Sequence, residues 1–308
     1  MIFKQKSEIR KHYFLNKYVI ITPSRAKRPR DVQEQSVINK TDSCVLCPNQ
    51  IEKKLILDYV GGKKNWDVMV LKNKYPAVTL SNKKAYGTQE VIIETPEHGV
   101  EMSEFSVKKI EQVIDIYSKR TSKLSENKNL DYILVFKNNG SKAGASLHHS
   151  HSQIFATKIL PPDVFNELVL AQQYKAAHDS CPYCDIIKQE SKTKRKIFED
   201  GQVIAFTPYA SEYHYEVWIF TKRHLDNITK INSKEKKSFA MAVKKILTKL
   251  HSVNLPYNFS LHQIISNTDQ HFYLKIQPRD SIWAGVEMNT GVIINSVPPE
   301  EAAKFYNK

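Results

Sequence analysis

No run of apolar residues in this 308-residue chain approaches the ~20 needed to cross a bilayer. Its start, Met1-Ile2-Phe3-Lys4-Gln5-Lys6-Ser7, lacks the apolar stretch of an export signal. The two absences predict a chain with no membrane partner and a cytoplasmic location. No recognisable nucleic-acid module accompanies the net charge of +14, so nucleic acid is not an expected partner. The excess of Lys and Arg then divides between solvated faces and a cleft that draws small phosphorylated anions. Cysteine is scarce too, with four in all, arranged as two CxxC pairs, Cys44/Cys47 and Cys181/Cys184. In a cytosolic protein that economy points to metal rather than disulfide. A composition 41% hydrophobic and 25% charged is that of a soluble globular chain, long enough for one large or two modest domains.

What is present reads as a pattern written twice. Glu90-Val91-Ile92-Ile93-Glu94-Thr95-Pro96-Glu97-His98 has a counterpart in Glu216-Val217-Trp218-Ile219-Phe220-Thr221-Lys222-Arg223-His224. Each reads as a buried strand running into a loop. An amphipathic helix follows each: Phe105, Ile110, Val113, Ile114 and Tyr117 behind Ser103, then Phe239, Val243, Ile246, Leu247 and Leu250 behind Ser233. Strands ending in Asn come next, over 132–138 and 259–267, and then a histidine segment, His149-Ser150-His151 or His271-Phe272-Tyr273. Strands outnumber crossover helices, which predicts an α+β fold of antiparallel sheets with helices packed on a face. Pro161-Pro162 opens a further helix, about 164–177, that links the halves. The expected boundary gives an N-terminal repeat over 1–178 and a C-terminal repeat over 179–308.

Cys44, Cys47, His98 and His149 make a Cys2His2 set, and Cys181, Cys184, His224 and His271 repeat it. Each suffices for a closed tetrahedral Zn2+ site of structural type. Beside the first set stands the segment 149–153, His-Ser-His-Ser-Gln, directly after Asn138-Asn139-Gly140-Ser141-Lys142-Ala143-Gly144-Ala145-Ser146. Read as extended chain, this segment is expected to put its two imidazoles on opposite faces with different jobs. His149 is tied to structure, and His151 faces a substrate as nucleophile toward phosphorus. Gln153 shares the face of His151 and can donate to a phosphoryl oxygen, as can Ser146 and the backbone around Gly140. The competing reading makes His151 a metal ligand and the site structural only. Arg25 and Arg28, in Pro23-Ser24-Arg25-Ala26-Lys27-Arg28-Pro29, have forks suited to phosphate but also read as a solvated basic turn. Asn73-Lys74-Tyr75-Pro76-Ala77 offers an aromatic that either stacks on a base or fills core.

Together these stretches resemble the galactose-1-phosphate uridylyltransferase family, a double-copy branch of the histidine-triad superfamily. The likeness spans 19–29, Cys44-x-x-Cys47, 73–77, 94–98 and 138–153. It implies two tandem half-barrel repeats, a homodimer, and ping-pong chemistry through a covalent nucleotidyl-histidine. By position His151 matches the nucleophile, and Gln153 and Ser146 match phosphate contacts. Asn138 matches a contact to the nucleotide phosphate, Asn73 a nucleotide contact, and Arg25 and Arg28 the phosphate-binding arginines. The eight Cys and His match metal ligands, and Ala284-Gly285-Val286-Glu287-Met288 keeps the family's Gly and Glu. Ser150 and Ser152 stand where uridylyltransferases show Pro and Gly, and resemble the ADP-glucose phosphorylase branch. Ser281, Val286 and Ile293 stand where the family has lysine, tyrosine and glutamine for the hexose phosphate. The second repeat has Tyr273 and Lys275 in place of His151 and Gln153, so one active site per chain is expected. The expected reaction is transfer of UMP between UDP-glucose and a hexose 1-phosphate. The alternatives are ADP-glucose phosphorolysis, with nucleotide-sugar and phosphate as substrates, and a non-catalytic zinc-stabilised nucleotide-binding protein.

Overall fold

The computed structural model describes residues 7–27, 44–62, 65–265 and 269–308. Ten strands form one sheet: β3 (Ile56–Gly61), β4 (Trp66–Lys72), β5 (Gly87–Ile93), β6 (Tyr132–Asn139), β7 (His151–Thr157), β8 (Lys196–Glu199), β9 (Val203–Phe206), β10 (Val217–Thr221), β11 (Tyr257–His262) and β12 (Tyr273–Pro278). Their spatial order is β3-β4-β5-β7-β6-β11-β12-β10-β9-β8. Every neighbouring pair is antiparallel. Read outward from the β6/β11 junction, the two flanks run in the same sequence of equivalents. The chain is thus α+β, as the strand-rich pattern predicts, and its two flanks meet edge to edge in one continuous sheet.

The apolar helical stripes read from the sequence lie on one face of that sheet. Helix α1 (Val107–Ser125) buries Ile110, Val113, Ile114 and Tyr117, and α4 (Ser233–His251) buries Phe239, Val243, Ile246, Leu247 and Leu250. The two helices pack against each other and share a core cluster with residues of β4, β5, β6, β7, β9, β10, β11 and β12. Both helix starts sit away from the residues expected to cap them. Ser106 caps α1, accepting from Lys109 N at 3.2 Å, because Ser103 lies in the preceding turn with its carbonyl taken by Lys244 and Thr248. Asn232 caps α4, and Glu235 returns the bond to Asn232 N at 2.9 Å, so Ser233 is the first helical residue. The strand expected over 259–267 is β11, ending at His262; Asn267 lies outside the described residues.

Helix α2 (Pro162–His178) opens on proline and leads to α3 (Pro182–Glu190). A smaller sheet joins the chain's two ends: β1 (Glu8–Lys11) pairs antiparallel with β2 (Tyr18–Ile21), and β2 pairs in parallel with β13 (Ile293–Asn295). That parallel pair was not legible in the sequence, because its partners are far apart in the chain. Helices α5 (Gly285–Thr290) and α6 (Pro299–Asn307) flank β13.

Candidate active site

Cys44 and Cys47 sit in a tight turn in which Cys47 N donates to Cys44 O at 3.1 Å. His98 follows β5, and His149 immediately precedes β7. The four ligand atoms lie within 4.8 Å of one another. Cys44 Sγ is 3.8 Å and Cys47 Sγ 3.7 Å from His149 Nδ1, and Cys47 Sγ is 3.6 Å from His98 Nδ1. Tetrahedral bonds of normal length place sulfur and nitrogen ligands about 3.6 Å apart, so this donor set fits one metal ion. His149 Nε2 donates to Thr95 O at 2.7 Å, which leaves Nδ1 as the ligating nitrogen. The second set has the same construction. Cys181 and Cys184 flank the start of α3, Cys184 Sγ is 3.4 Å from His224 Nδ1 and 3.7 Å from His271 Nδ1, and His271 Nε2 donates to Thr221 O at 2.9 Å. All eight sequence-selected ligands therefore fall into two separate clusters, each able to hold a metal.

His151 is the first residue of β7, opposite Ile93 of β5. The expectation of opposite faces needs correcting: alternate residues of a strand share a face, so a strand through both histidines would not have parted their rings. They part because β7 begins only at His151, leaving His149 in the bend before it. His151 belongs to neither metal cluster. Its Nδ1 is 2.7 Å from His149 O, and a carbonyl only accepts, so Nδ1 carries the proton and Nε2 the lone pair. Burial pushes its pKa below the ordinary histidine value; the His149 carbonyl opposes this and the charge of Lys137 adds to it.

Two cavities meet at His151, and Ser146, Leu147 and His151 line both. The larger, about 630 Å³, has apolar walls from Leu46, Leu55, Leu71 and Val91, with Asn73, Tyr75 and Gln153 as polar or aromatic features. Asn73 Oδ1 accepts from Tyr75 N at 2.8 Å, which sets the turn that exposes the Tyr75 ring. The smaller, about 340 Å³, is lined by Asn138, Gly140, Glu101, Ser103, Lys137 and Tyr257 besides His151. Gly140 has φ +82°, and a Cβ there would meet Pro256 Cβ at 2.9 Å, so no other residue fits without a shift. Asn258, opposite Asn138 on β11, donates to both Asn138 Oδ1 (2.8 Å) and Ala143 O (2.7 Å). With its oxygen engaged, the Asn138 amide has its N–H groups left to offer.

Behind the histidine segment lies a buried ionic network. Lys137 Nζ donates to Glu94 Oε2 at 2.7 Å, to Ser150 Oγ at 2.9 Å and to His151 O at 3.3 Å. Ser150 Oγ is 2.7 Å from Glu94 Oε2 and 3.1 Å from Glu101 Oε2. Tyr117 Oη is 3.1 Å from Glu94 Oε1 and 2.8 Å from Ser152 Oγ. Burial works against both charges, yet the pair holds Glu94 below and Lys137 above their ordinary values. Both serines that replace Pro and Gly in the resembling family are thus hydrogen-bonded to this network. Sequence reasoning missed Lys137, although a lysine directly following the apolar run Tyr132-Ile133-Leu134-Val135-Phe136 in one strand was the available signal.

Arg25 and Glu287 lie elsewhere. Arg25 is exposed in the turn after β2, and Glu287 accepts from Ala284 N at 2.9 Å as part of the start of α5. Arg25 is close enough to help depress the Glu287 pKa, which burial raises and backbone N–H groups lower. Neither lines either cavity at His151, and Ser281, Val286 and Ile293 do not either. Arg28 lies outside the described residues.

The family model for the N-terminal domain of galactose-1-phosphate uridyl transferase matches residues 2–161, and that for its C-terminal domain matches 167–279. The chain belongs to the galactose-1-phosphate uridyl transferase family. It is therefore an enzyme of a nucleotidyltransferase family, built on the histidine-triad fold. An ADP-glucose phosphorylase of Arabidopsis thaliana is 30% identical over 97% of this chain and 92% of that protein. A galactose-1-phosphate uridylyltransferase of Thermotoga maritima is 28% identical over 96% of each. Among solved structures, an Arabidopsis thaliana ADP-glucose phosphorylase with bound ADP-glucose superposes with a TM-score of 0.87 at 29% identity, covering 98% of this chain and 99% of that one. A uridylyltransferase superposes at 0.77 and 27% identity, covering 98% and 97%.

Proposed function

We propose that the chain transfers a nucleotidyl group through a covalent nucleotidyl-His151 intermediate. The observation that carries this is the His151 ring, with its proton held on Nδ1 by the His149 carbonyl, at the meeting point of two cavities. The Nε2 lone pair attacks the α-phosphorus of a nucleoside diphosphate sugar. An N–P bond forms, and the bond to the bridging oxygen breaks, its electron pair leaving with the sugar 1-phosphate. The positive charge that builds on the ring is met by the Nδ1–H bond to the His149 carbonyl. Gln153, Ser146 and the Asn138 amide donate to the phosphoryl oxygens as charge grows there. An acceptor phosphate then attacks the phosphorus and frees His151. The apolar larger cavity, with Asn73 and Tyr75, takes the nucleoside; the smaller one takes the leaving side.

Zn2+ suits both Cys2His2 sets, because soft thiolates with imidazole in a four-donor cluster match it and leave no open position for chemistry. It would close each turn and hold His149, whose carbonyl holds His151. We further propose repeats over 1–178 and 179–308, a division supported by the matching flanks of the sheet. Arg25 and Glu287 line neither cavity at the His151 of their own chain, and we propose a homodimer in which a second copy brings them to it. No helix among the described residues is long and apolar enough to cross a membrane, and the cytoplasm is the proposed location.

For the nucleotide, adenylyl transfer from ADP-glucose to phosphate is our first reading. The bonding of Ser150 and Ser152 to the Lys137 network and the likeness to the Arabidopsis phosphorylase support it. Uridylyl transfer between UDP-glucose and a hexose 1-phosphate, put first on sequence alone, is the second, supported by the family match and the Thermotoga relative. Incubation with ADP-glucose or UDP-glucose, followed by intact mass measurement without acid, decides between them: an AMP adduct supports the first, a UMP adduct the second. In His151→Ala the adduct is expected to vanish and turnover to fall by at least ~10³-fold. Labelling that persists in that variant removes the nucleophile assignment.

A further inference from the structure

Away from His151, side chains from three separate stretches of the C-terminal half meet on one imidazole. His214 stands shortly before β10, Asp280 shortly after β12, and Ser296 directly after β13. None of them lines either cavity at His151. His214 Nδ1 is 2.9 Å from Asp280 Oδ2, and its Nε2 is 3.0 Å from Ser296 Oγ. The Ser296 backbone N–H also donates to Nε2, at 3.1 Å. A backbone N–H only donates, so Nε2 carries the lone pair and Nδ1 the proton, which goes to the Asp280 carboxylate. A base nitrogen on a serine hydroxyl, with the other nitrogen on a carboxylate, is the constellation of an acyl-transferring triad.

The surroundings hold this relay still. Asn295 is fully buried and donates to Ser211 O at 2.8 Å and to Tyr213 O at 3.2 Å, while its Oδ1 accepts from Val297 N at 2.8 Å. Those bonds fix the backbone on both sides of Ser296 against the loop that carries His214. Beside the ring, Tyr215 has φ +57°, a left-handed conformation that a tyrosine rarely adopts, and its carbonyl accepts from Tyr306 Oη at 2.7 Å. Strain of this kind collects where a neighbouring side chain has to be aimed. His214 is only 6% exposed, whereas Ser296 is half-buried.

The same corner keeps polar atoms that the folded chain leaves unused. Asp280 Oδ1, Arg279 Nε and Trp283 Nε1 are buried and have no hydrogen-bond partner among the described residues. Arg279 and Trp283 both lie against the ring of Tyr213, the residue before His214, at 5.5 and 5.0 Å. Buried donors without an acceptor are rare in a purely structural corner. Near a serine–histidine pair, such donors suit the negative oxygen of an acyl intermediate.

We propose that Ser296, His214 and Asp280 form a second reactive centre, one that cleaves small acyl esters. Ser296 Oγ bonds to the ester carbonyl carbon while His214 Nε2 takes the hydroxyl proton. The ester C–O bond then breaks, and the alcohol leaves with that proton. Water attacks the acyl-Ser296, passing a proton to Nε2; the carboxylic acid departs and Oγ regains its proton. Asp280 is a positioning residue: it keeps the Nδ1 proton on its own side and steadies the imidazolium. Because Ser296 is half-buried, the acyl group is of acetyl size. The centre does not depend on the nucleotidyl-transfer reading.

The test is incubation of the full chain with a fluorophosphonate, followed by peptide mapping, with p-nitrophenyl acetate hydrolysis read in parallel. An activated serine displaces fluoride and keeps the phosphonyl group, so wild type should carry the adduct on Ser296. Ser296→Ala should lose that adduct and lower ester hydrolysis at least ~10-fold. Asp280→Asn, which favours the other tautomer of the ring, should slow labelling at least ~100-fold with little change in melting temperature. His214→Ala should abolish labelling; if it melts early, the Asp280→Asn comparison decides. No adduct on Ser296 in wild type, or equally fast labelling in Asp280→Asn, overturns the proposal. Nucleotidyl labelling of His151 in Ser296→Ala should stay within about twofold of wild type. Its loss there would return Ser296 to a structural role and remove the second centre.

Discussion

His151 on β7 and Tyr273 on β12 occupy corresponding places, each two residues beyond the buried histidine of a Cys2His2 set. Around His151 the space is open, with cavities on two sides. Around Tyr273 it is filled by aromatic rings: Phe220 at 4.6 Å, His262 at 4.4 Å and Trp218 at 5.3 Å between centroids. Gln153 lines a cavity, whereas Lys275 is held by Glu212 at 3.2 Å and Glu216 at 3.4 Å. Both flanks keep a buried lysine against two carboxylates, Lys137 with Glu94 and Glu101, and Lys275 with Glu212 and Glu216. The comparison teaches that the fold keeps a Cys2His2 donor set in both flanks, sets a buried lysine on different strands of the two (β6 for Lys137, β12 for Lys275), and opens the second position after the buried histidine to cavities in one flank alone.

The widest difference should appear when each metal set is broken in turn. Cys44→Ser should lower nucleotidyl labelling by at least ~100-fold, because His149 and the carbonyl that orients His151 lose their anchor. Cys181→Ser should cost thermal stability while labelling of the surviving folded protein stays within a few fold. Equal loss of labelling in both would erase the distinction between the two flanks.

Next comes the ionic pair behind β7. Lys137→Met leaves the fully buried Glu94 without its cation and should destabilise by ~3–5 kcal/mol in denaturant titration. Adding Glu94→Gln should restore most of that loss. If the single variant is as stable as wild type, the network contributes nothing to holding the histidine segment.

The second flank supplies a pH test. Burial works against the Glu212 charge, but Lys275 and Lys17 outweigh it and hold its pKa down at about 2. A folded pKa below the ordinary ~4.3 means stability present at neutral pH and lost as pH falls from about 5 toward 2. The contribution is on the order of 2–3 kcal/mol. In Glu212→Gln the acid limb of the stability curve should flatten by that amount; an unchanged limb would assign the acid sensitivity elsewhere.

The smallest effect tests whether the silent flank serves the active one. Asn258 crosses from β11 to orient Asn138, and Asn258→Ala should weaken orthophosphate about 10-fold, near 1.4 kcal/mol, with global stability within ~1 kcal/mol. Unchanged phosphate affinity would confine Asn258 to a structural role.

Much of this was legible from residues alone because it is local or strongly typed. The periodicity of 107–125 and 233–251 marks two helices, and CxxC pairs with matching histidines mark two donor sets whatever the intervening path. His151 stood out by its position two residues after a ligand. Lys137 and Tyr257 did not, because a lysine or tyrosine in a strand declares neither its depth nor its facing partner. Arg25 and Glu287 were chosen by likeness of motif, and motif carries no information on which side of the molecule a loop ends.

By itself the sequence determined the α+β class, the internal duplication and the eight Cys and His of two sets able to hold a metal, since helical period, strand pattern and ligand chemistry are properties of the chain read in order. Tertiary structure alone decided the rest: that β6 and β11 join the flanks into one sheet, that His151 opens on two cavities while Tyr273 is walled in, and that Ser103 and Tyr257 share a chamber with Glu101. These depend on contacts between residues that are not neighbours in the chain, more than a hundred positions apart in the case of β6 with β11 and of Ser103 with Tyr257. Strand pairing and burial create such contacts, and no local pattern encodes them.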